Sequence, residues 1–124
     1  MREIKEKHCY CAIDFKEEYA EAFDSDELDA KYSLPDGKEL VIPHSIQIQT
    51  CEFMFEHDFN WKTYRSLPNL TYESFQRCEN DIRQELAENF VFSGGNTFFK
   101  NFTDRFCNEL EDLSPAGMTF NYDI

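Results

Sequence analysis

One stretch in the second half of the chain limits what it can fold into: residues 89–99, Asn-Phe-Val-Phe-Ser-Gly-Gly-Asn-Thr-Phe-Phe. The apolar, β-prone run 90–92 is followed by Gly94 and Gly95, and apolar residues then recur at helical spacing. These are Phe99, Phe102, Phe106, Leu110 and Leu113. The pattern predicts a strand, a tight turn and a helix. Glycines there let the backbone approach a neighbour or a ligand, and amides at a helix start favour electron-rich groups, although a plain turn between packed elements has the same residues.

Charge and length exclude several classes of protein. A chain of 124 residues with 13 phenylalanines is long enough for one domain with an aromatic core. Its 25 acidic and 12 basic residues give a net charge of -13, which opposes a nucleic-acid backbone, so no nucleic-acid partner is expected. The acidic residues alternate with apolar ones, as on solvated helix faces. No run of about 18 apolar residues occurs, so no membrane association is expected.

The cysteines predict reduced thiols rather than a disulfide framework. There are five, an odd number, without Cys-x-x-Cys spacing and without a preceding apolar leader, as is typical of an intracellular protein. His8, Cys9 and Cys11 do place three soft ligands close together. Because no second ligand cluster completes a tetrahedral set, no metal site is predicted.

The first half of the chain predicts helices and one hairpin. Residues 2–10 are charged and favour helix, and Asp14 is a suitable N-cap for a second helix. Four residues of that helix fall on one face and are expected to pack in the core: Phe15, Tyr19, Ala22 and Phe23. Residues 32–42 predict two short strands around a Pro-Asp-Gly turn.

The segment after the hairpin has weaker signals. His44 lies between turn residues and is expected to be a surface side chain. Residues 46–49 alternate between apolar and polar as a strand does, and 51–55 suggest a helical turn. Residues 56–68 have no usable period and predict a loop, whose Phe59 and Trp61 either form a contact surface or pack onto the body.

The last part predicts helix, strand, helix, strand. A helix begins at Asn69 or Thr71, and Asn80 leaves open whether it is one helix or two. After the long helix, Ser114 and Pro115 end the helical pattern, and 118–122 alternate as a strand. The two strands are expected to pair in parallel, which makes the fold class α/β. Two strands cannot bury a sheet alone, so further strands are expected from sequence outside residues 1–124 or from another chain.

Several blocks of this sequence resemble actin, in order and at nearly constant spacing. Residues 2–10 resemble the actin segment Arg-Asp/Glu-Ile-Lys-Glu-Lys-Leu-Cys-Tyr, and Ala-Ile-Asp-Phe at 12–15 resembles Ala-Leu-Asp-Phe. Leu-Pro-Asp-Gly at 34–37 and Ser-Gly-Gly at 93–95 also match. The remaining matches are Cys78 with Asp81, Ile82, Arg83 and Leu86, then Asp104, Arg105, Leu113, Ser114, Pro115 and Met118. The sequence therefore resembles the third quarter of the actin chain.

This resemblance implies a partial actin-like ATPase fold, of the superfamily that includes Hsp70 chaperones and sugar kinases. Residues 1–62 would form most of the small outer subdomain, helical with a β-hairpin, and 63–124 part of the larger, lower α/β subdomain. It also implies ATP or ADP with Mg²⁺ as ligands, and actin-like subunits and actin-binding proteins as partners. The expected location is the cytoplasmic cytoskeleton.

The resemblance also carries over individual residues. The adenine of the nucleotide would lie between Lys5 and Glu6 on one side and four residues of the glycine turn on the other: Gly94, Gly95, Phe98 and Phe99. Glycine permits close approach, aromatic rings give a flat apolar wall, and Lys5 and Glu6 offer polar ends. Phe98 stands where actin has Met, and Phe99 where it has Tyr.

Subunit contacts are implied at two further places. Pro35, Asp36 and Gly37 resemble the hairpin tip that touches the next subunit of an actin filament, and Pro115 and Met118 resemble a surface facing it. Residues 55–67 take the place of actin's inter-strand plug, but the tip at 59–62 is more polar than the apolar tip of actin.

Actin's phosphate-binding loops, Mg²⁺-organising acids and water-positioning residues have no match in this chain. No catalytic or metal residues are therefore predicted, and the chain alone is not expected to hydrolyse ATP, since phosphoryl transfer needs those groups. The leading hypothesis is a segment of a divergent, ATP-binding cytoskeletal actin. The alternatives are a non-catalytic actin-related scaffold and an unrelated acidic domain.

Overall fold

The computed structural model describes residues 2–55, 65–115 and 118–123. Its elements follow in chain order: α1 Arg2–His8, α2 Phe15–Asp24, β1 Ala30–Ser33, β2 Glu39–Ile42, α3 His44–Glu52, α4 Leu67–Gln76, α5 Asn80–Ala87, β3 Phe90–Val91, a 3₁₀ helix Gly95–Phe98, α6 Phe102–Leu113 and β4 Tyr122–Asp123. Helices and small sheets are mixed, so the α/β class is confirmed.

The predicted hairpin is present. β1 and β2 pair antiparallel, with Ala30 opposite Ile42 and Ser33 opposite Glu39. Gly37 has φ +83°, a conformation that glycine adopts without a Cβ penalty. The Leu34 amide donates to the Lys38 carbonyl at 2.8 Å and closes the turn.

The alternation of apolar and polar residues over 46–49 does not mark a strand, because these residues lie inside α3. An alternation of four residues is too short to separate strand from helix, and α3 buries His44, Gln47, Ile48 and Cys51, which follow helical spacing. Gln47 fixes the helix to the hairpin by donating from Nε2 to the Ile42 carbonyl at 3.0 Å.

The prediction of a surface side chain at His44 is also wrong. His44 is only 5% exposed, and its Nε2 lies 2.7 Å from the Tyr10 hydroxyl. Its backbone amide donates to Asp29 Oδ1 at 2.8 Å. Turn residues flank His44 in sequence, but Tyr10 gives its Nε2 a partner and Asp29 gives its backbone amide one, which favours burial.

The prediction that the apolar face of α2 packs in the core is wrong. Asp14 does cap α2, accepting from the Glu17 amide at 3.1 Å, but no residue of α2 is buried. Phe15 stacks on Tyr19 with ring centroids 4.9 Å apart, and Phe23 is 68% exposed. Phe15, Tyr19 and Ala22 are half-buried, and α2 packs against α3 outside the core cluster.

The helical pattern around Asn80 forms two helices, α4 and α5. Ser66 caps α4 by accepting from the Asn69 amide, so α4 starts at Leu67, before the predicted Asn69 or Thr71. The break before α5 is held by Arg83, whose Nη2 donates to the carbonyls of Gln76 and Cys78, both at 2.8 Å. Most of the predicted loop 56–68, with Phe59 and Trp61, lies outside the described residues.

The predicted parallel strand pair is confirmed, with Phe90 opposite Tyr122 and Val91 opposite Asp123. Only the end of the expected strand 118–122 belongs to it. The helix predicted to include Phe99 begins three residues later, at Phe102. Asn101 interrupts the pattern with φ 64°, a left-handed conformation that Asn tolerates better than most residues.

A phenylalanine-rich core joins the two halves of the sequence. It contains Cys11, Cys51 and Phe55 from the first half, and the helix face of α6 from the second: Phe102, Phe106 and Leu110. The subdomain boundary at 62 and 63 remains a prediction. Within the described ranges, no helix is long and apolar enough to cross a membrane.

Candidate functional site

The N-terminal helix and the glycine turn face each other across a cleft of about 600 Å³. Its lining residues all come from α1 or from 93–99: Arg2, Lys5, Glu6, Ser93, Gly94, Gly95, Asn96, Phe98 and Phe99. The segment after α1 is fixed beside this turn, because Tyr10 forms a parallel bridge with Lys100 and the Cys11 amide donates to the Lys100 carbonyl at 3.0 Å. All six residues predicted for the adenine side therefore meet in one place.

Lys5 joins the two walls of the cleft. Its Nζ donates to Asn96 Oδ1 at 3.1 Å and lies 5.0 Å from the centre of the Phe99 ring. An ammonium over an aromatic face is attracted by the ring quadrupole. The exposed Lys5 thus contacts both an amide oxygen and a ring.

The turn itself depends on Gly94. Its φ of +115° and ψ of 163° fall in a region essentially restricted to glycine. Its carbonyl accepts from Thr97 twice, from Oγ1 at 2.7 Å and from the backbone amide at 3.1 Å. A single 3₁₀ turn, rather than the predicted start of a long helix, follows the glycines.

The two consecutive phenylalanines have different surroundings. The Phe98 side chain is 82% exposed, whereas Phe99 is only 7% exposed and packs in the core under Lys5. Both rings line the cleft, and Phe98 is much the more exposed of the two. The Phe99 ring lies under the Lys5 ammonium.

The charges at the cleft are mixed. Arg2 Nε lies 3.7 Å from Glu6 Oε1, and both side chains are largely exposed, so this ion pair contributes little to stability. Together with Lys5, these groups offer both hydrogen-bond donors and an acceptor beside an exposed ring. Such a site can bind a flat, polar heteroaromatic group.

A family model described as Actin matches residues 1–122 of the 124-residue chain. The chain belongs to the actin family. The family assignment agrees with the mixed α/β fold and with the resemblance of the sequence blocks. Actins in general bind ATP or ADP with Mg²⁺, assemble with one another and are found in the cytoplasmic cytoskeleton.

This actin-family chain presents part of its predicted subunit-contact surface to solvent. Pro35, Asp36 and Gly37 are exposed at the hairpin tip, and Pro115 is exposed just beyond α6. Met118, by contrast, is partly buried and packs against the core. The two groups remain predicted subunit contacts.

The sequence reasoning missed three lining residues of the cleft: Arg2, Ser93 and Asn96. Ser93 and Asn96 flank the two glycines, and Arg2 lies one helical turn before Glu6, so chain proximity to the predicted residues could have indicated them. Among the residues that the structure describes, no group of three or more His, Cys, Asp or Glu side chains is arranged for a metal ion. No residue in the described part of the chain is therefore assigned to Mg²⁺.

Proposed function

We propose that this chain supplies the adenine-side wall of a nucleotide cleft in an actin-like cytoskeletal protein. The observation that supports it best is the meeting of Lys5 and Glu6 with Gly94, Gly95 and Phe98 around one cleft of about 600 Å³. The volume lies in the range of small-molecule sites, and the glycines let a ligand approach the backbone closely.

The lining residues fit an adenine base. Phe98 offers an exposed ring for stacking, and the Glu6 carboxylate can accept a hydrogen bond from an exocyclic amine. Lys5 and Arg2 make this part of a strongly acidic chain locally less repulsive to an anion. The phosphates and Mg²⁺ of the nucleotide, which supply the chemistry of hydrolysis in the family, are not assigned to residues of this chain.

Titration of the 124-residue chain with ATP tests the nucleotide proposal. Amide chemical shifts of Gly94 and Gly95 should move, and Phe98→Ala should weaken ATP binding by roughly 5-fold to 150-fold, because one base-aromatic stack is worth about 1–3 kcal/mol. Phe23→Ala is the matched control, since Phe23 is also exposed but lies on α2. No shift at the glycines, or an equal loss with Phe23→Ala, would reject the proposal.

We also propose that the hairpin tip at Pro35, Asp36 and Gly37 and the surface at Pro115 and Met118 contact neighbouring actin-like subunits. The exposure of the tip supports this. The unchanged chain should co-sediment with polymerising actin, and Pro35→Glu should abolish this co-sedimentation, because a charge would be buried in the contact. Co-sedimentation without any dependence on ATP would favour the alternative, a non-catalytic scaffold.

A further inference from the structure

Asn96 has an amide whose orientation is fixed by Lys5. The two side chains are linked by the Lys5 Nζ to Asn96 Oδ1 hydrogen bond of 3.1 Å. A lysine ammonium only donates, so the atom that faces it must be the amide oxygen and not the nitrogen. The usual ambiguity of the two amide atoms is therefore removed by chemistry.

The other end of this amide is available to a ligand. Within residues 2–55, 65–115 and 118–123, Asn96 makes the hydrogen bond to Lys5 and its Nδ2 has no acceptor. Nδ2 carries two N–H groups, and Asn96 lines the cleft beside Gly95 and Phe98. The cleft thus contains the Asn96 amide in a fixed orientation, with an Nδ2 group that can donate hydrogen bonds to a ligand.

Lys5 is itself held from the opposite side. Its Nζ lies over the Phe99 ring, and that ring is buried in the core. The contacts from Phe99 to Lys5 and from Lys5 to Asn96 therefore connect the interior with the cleft. An amide held in place loses less conformational entropy when a ligand binds, which favours its use in recognition.

We propose that Asn96 reads the base in this cleft, donating from Nδ2 to a ring nitrogen of adenine. The inference rests on the proposed nucleotide-binding function and adds the residue that selects the base. Adenine has ring nitrogens that accept and an exocyclic amine that donates, so it matches a cleft lined by an amide donor and by the Glu6 carboxylate.

Two substitutions test the role of the donor. Asn96→Asp keeps the size of the side chain and an oxygen for Lys5 but removes both N–H groups, and Asn96→Ala removes the whole amide. Each should raise the Kd for adenosine and for ATP by about 5-fold to 150-fold, as expected for a base contact worth about 1–3 kcal/mol. Asn108→Asp is the control, since it adds the same charge at an exposed position of α6.

Uncharged adenosine separates hydrogen bonding from charge repulsion. If Asn96→Asp weakens ATP but leaves adenosine unchanged, the added charge is responsible and the inference is overturned. Adenosine analogues in which carbon replaces N1, N3 or N7 identify the accepting nitrogen. One of these analogues should bind the unchanged chain more weakly than adenosine does. The same analogue and adenosine should bind Asn96→Ala with equal Kd. An equal penalty in both chains would also overturn the inference.

Failure of the inference and failure of the proposed function give different results. If the unchanged chain binds ATP through Phe98 but Asn96→Ala and Asn96→Asp bind it equally well, only the role of Asn96 is rejected. If the unchanged chain binds neither ATP nor adenosine, the proposed function is rejected together with this inference.

Discussion

Arg105 Nη2 lies 2.9 Å from Glu52 Oε1, and the two side chains are only 9% and 3% exposed. The same guanidinium donates from Nη1 to the Ala12 carbonyl at 2.6 Å and from Nε to Glu109 at 2.8 Å, and it lies over the Phe55 ring. Arg105 thus ties α6 to the end of α3 and to the segment after α1. The segments that Arg105 joins follow the two walls of the cleft along the chain, since Ala12 comes after α1 and α6 comes after residues 93–99.

Removing one partner of this buried pair should be costly. Glu52→Gln removes the buried carboxylate and leaves Arg105 paired only with the part-exposed Glu109, so we expect a loss of about 3 kcal/mol in the free energy of unfolding, the low end for a broken buried pair. Glu109→Gln is the control, because the Glu109 side chain is 33% exposed and its pair should contribute about 0–1 kcal/mol. Urea unfolding followed by circular dichroism measures both, and equal losses would contradict the expectation.

Tyr10 should make stability depend on pH in the alkaline range. Burial, and then the hydrogen bond to Glu18, raise the pKa of Tyr10 from 10.0 to about 12. The folded chain therefore holds the phenol proton more tightly than the unfolded chain. This stabilisation should be fully present below pH 10 and should be lost as the pH rises towards 12.

Unfolding free energies measured from pH 8 to 12 test this, since Tyr10→Phe should flatten the decline that the unchanged chain shows in that window. Tyr19→Phe is the comparison, because it removes a tyrosine hydroxyl of α2 that lies outside this contact. The explanation fails if Tyr10→Phe keeps the full alkaline decline.

The two glycines of the turn should respond differently to alanine. A Cβ at Gly94 or at Gly95 would meet nothing within 4 Å, so steric contact does not distinguish them. Gly94 alone has a positive φ, at +115°, so Gly94→Ala should cost about 1–3 kcal/mol of backbone strain. Gly95→Ala should change stability by much less. Thermal unfolding of the two variants measures the difference, and comparable melting temperatures would refute it.

Asn101 should be improvable by glycine. It has φ 64° immediately before α6, where a side chain other than Asn or Asp is strained. Asn101→Ala should lower stability by about 1–2 kcal/mol, whereas Asn101→Gly should leave it unchanged or raise it slightly. The denaturant midpoint of Asn101→Ala should therefore fall below that of the unchanged chain. The midpoint of Asn101→Gly should equal that of the unchanged chain or exceed it. A larger loss with glycine than with alanine would count against left-handed strain.

Local sequence patterns predicted much of the fold. The Pro-Asp-Gly turn, the Asp14 cap and the strand before the glycines each depend on residues close in the chain, and each is present. The parallel pairing of β3 and β4 also followed, because a strand, helix and strand in sequence favour it. Short or mixed signals failed, as at 46–49, where four residues could not distinguish a strand from α3.

For the candidate site, the sequence indicated six residues through resemblance to actin, and they line one cleft. It did not distinguish Phe98 from Phe99, because two adjacent phenylalanines carry the same local signal. Their exposures of 82% and 7% depend on α1 and the core on either side of the turn. Asn96 flanks the two glycines in sequence, but its contact with Lys5, 91 positions away, was decided by the tertiary structure.

The sequence by itself determined the family, the order of most elements and the glycine turn, because propensity, turn chemistry and collinear motifs are properties of neighbouring residues. Tertiary structure decided which side chains meet. It buried His44 against Tyr10, left Phe23 exposed and placed Lys5 between Phe99 and Asn96. These outcomes depend on which distant surfaces exclude water and satisfy polar atoms, and only the folded chain brings those surfaces together.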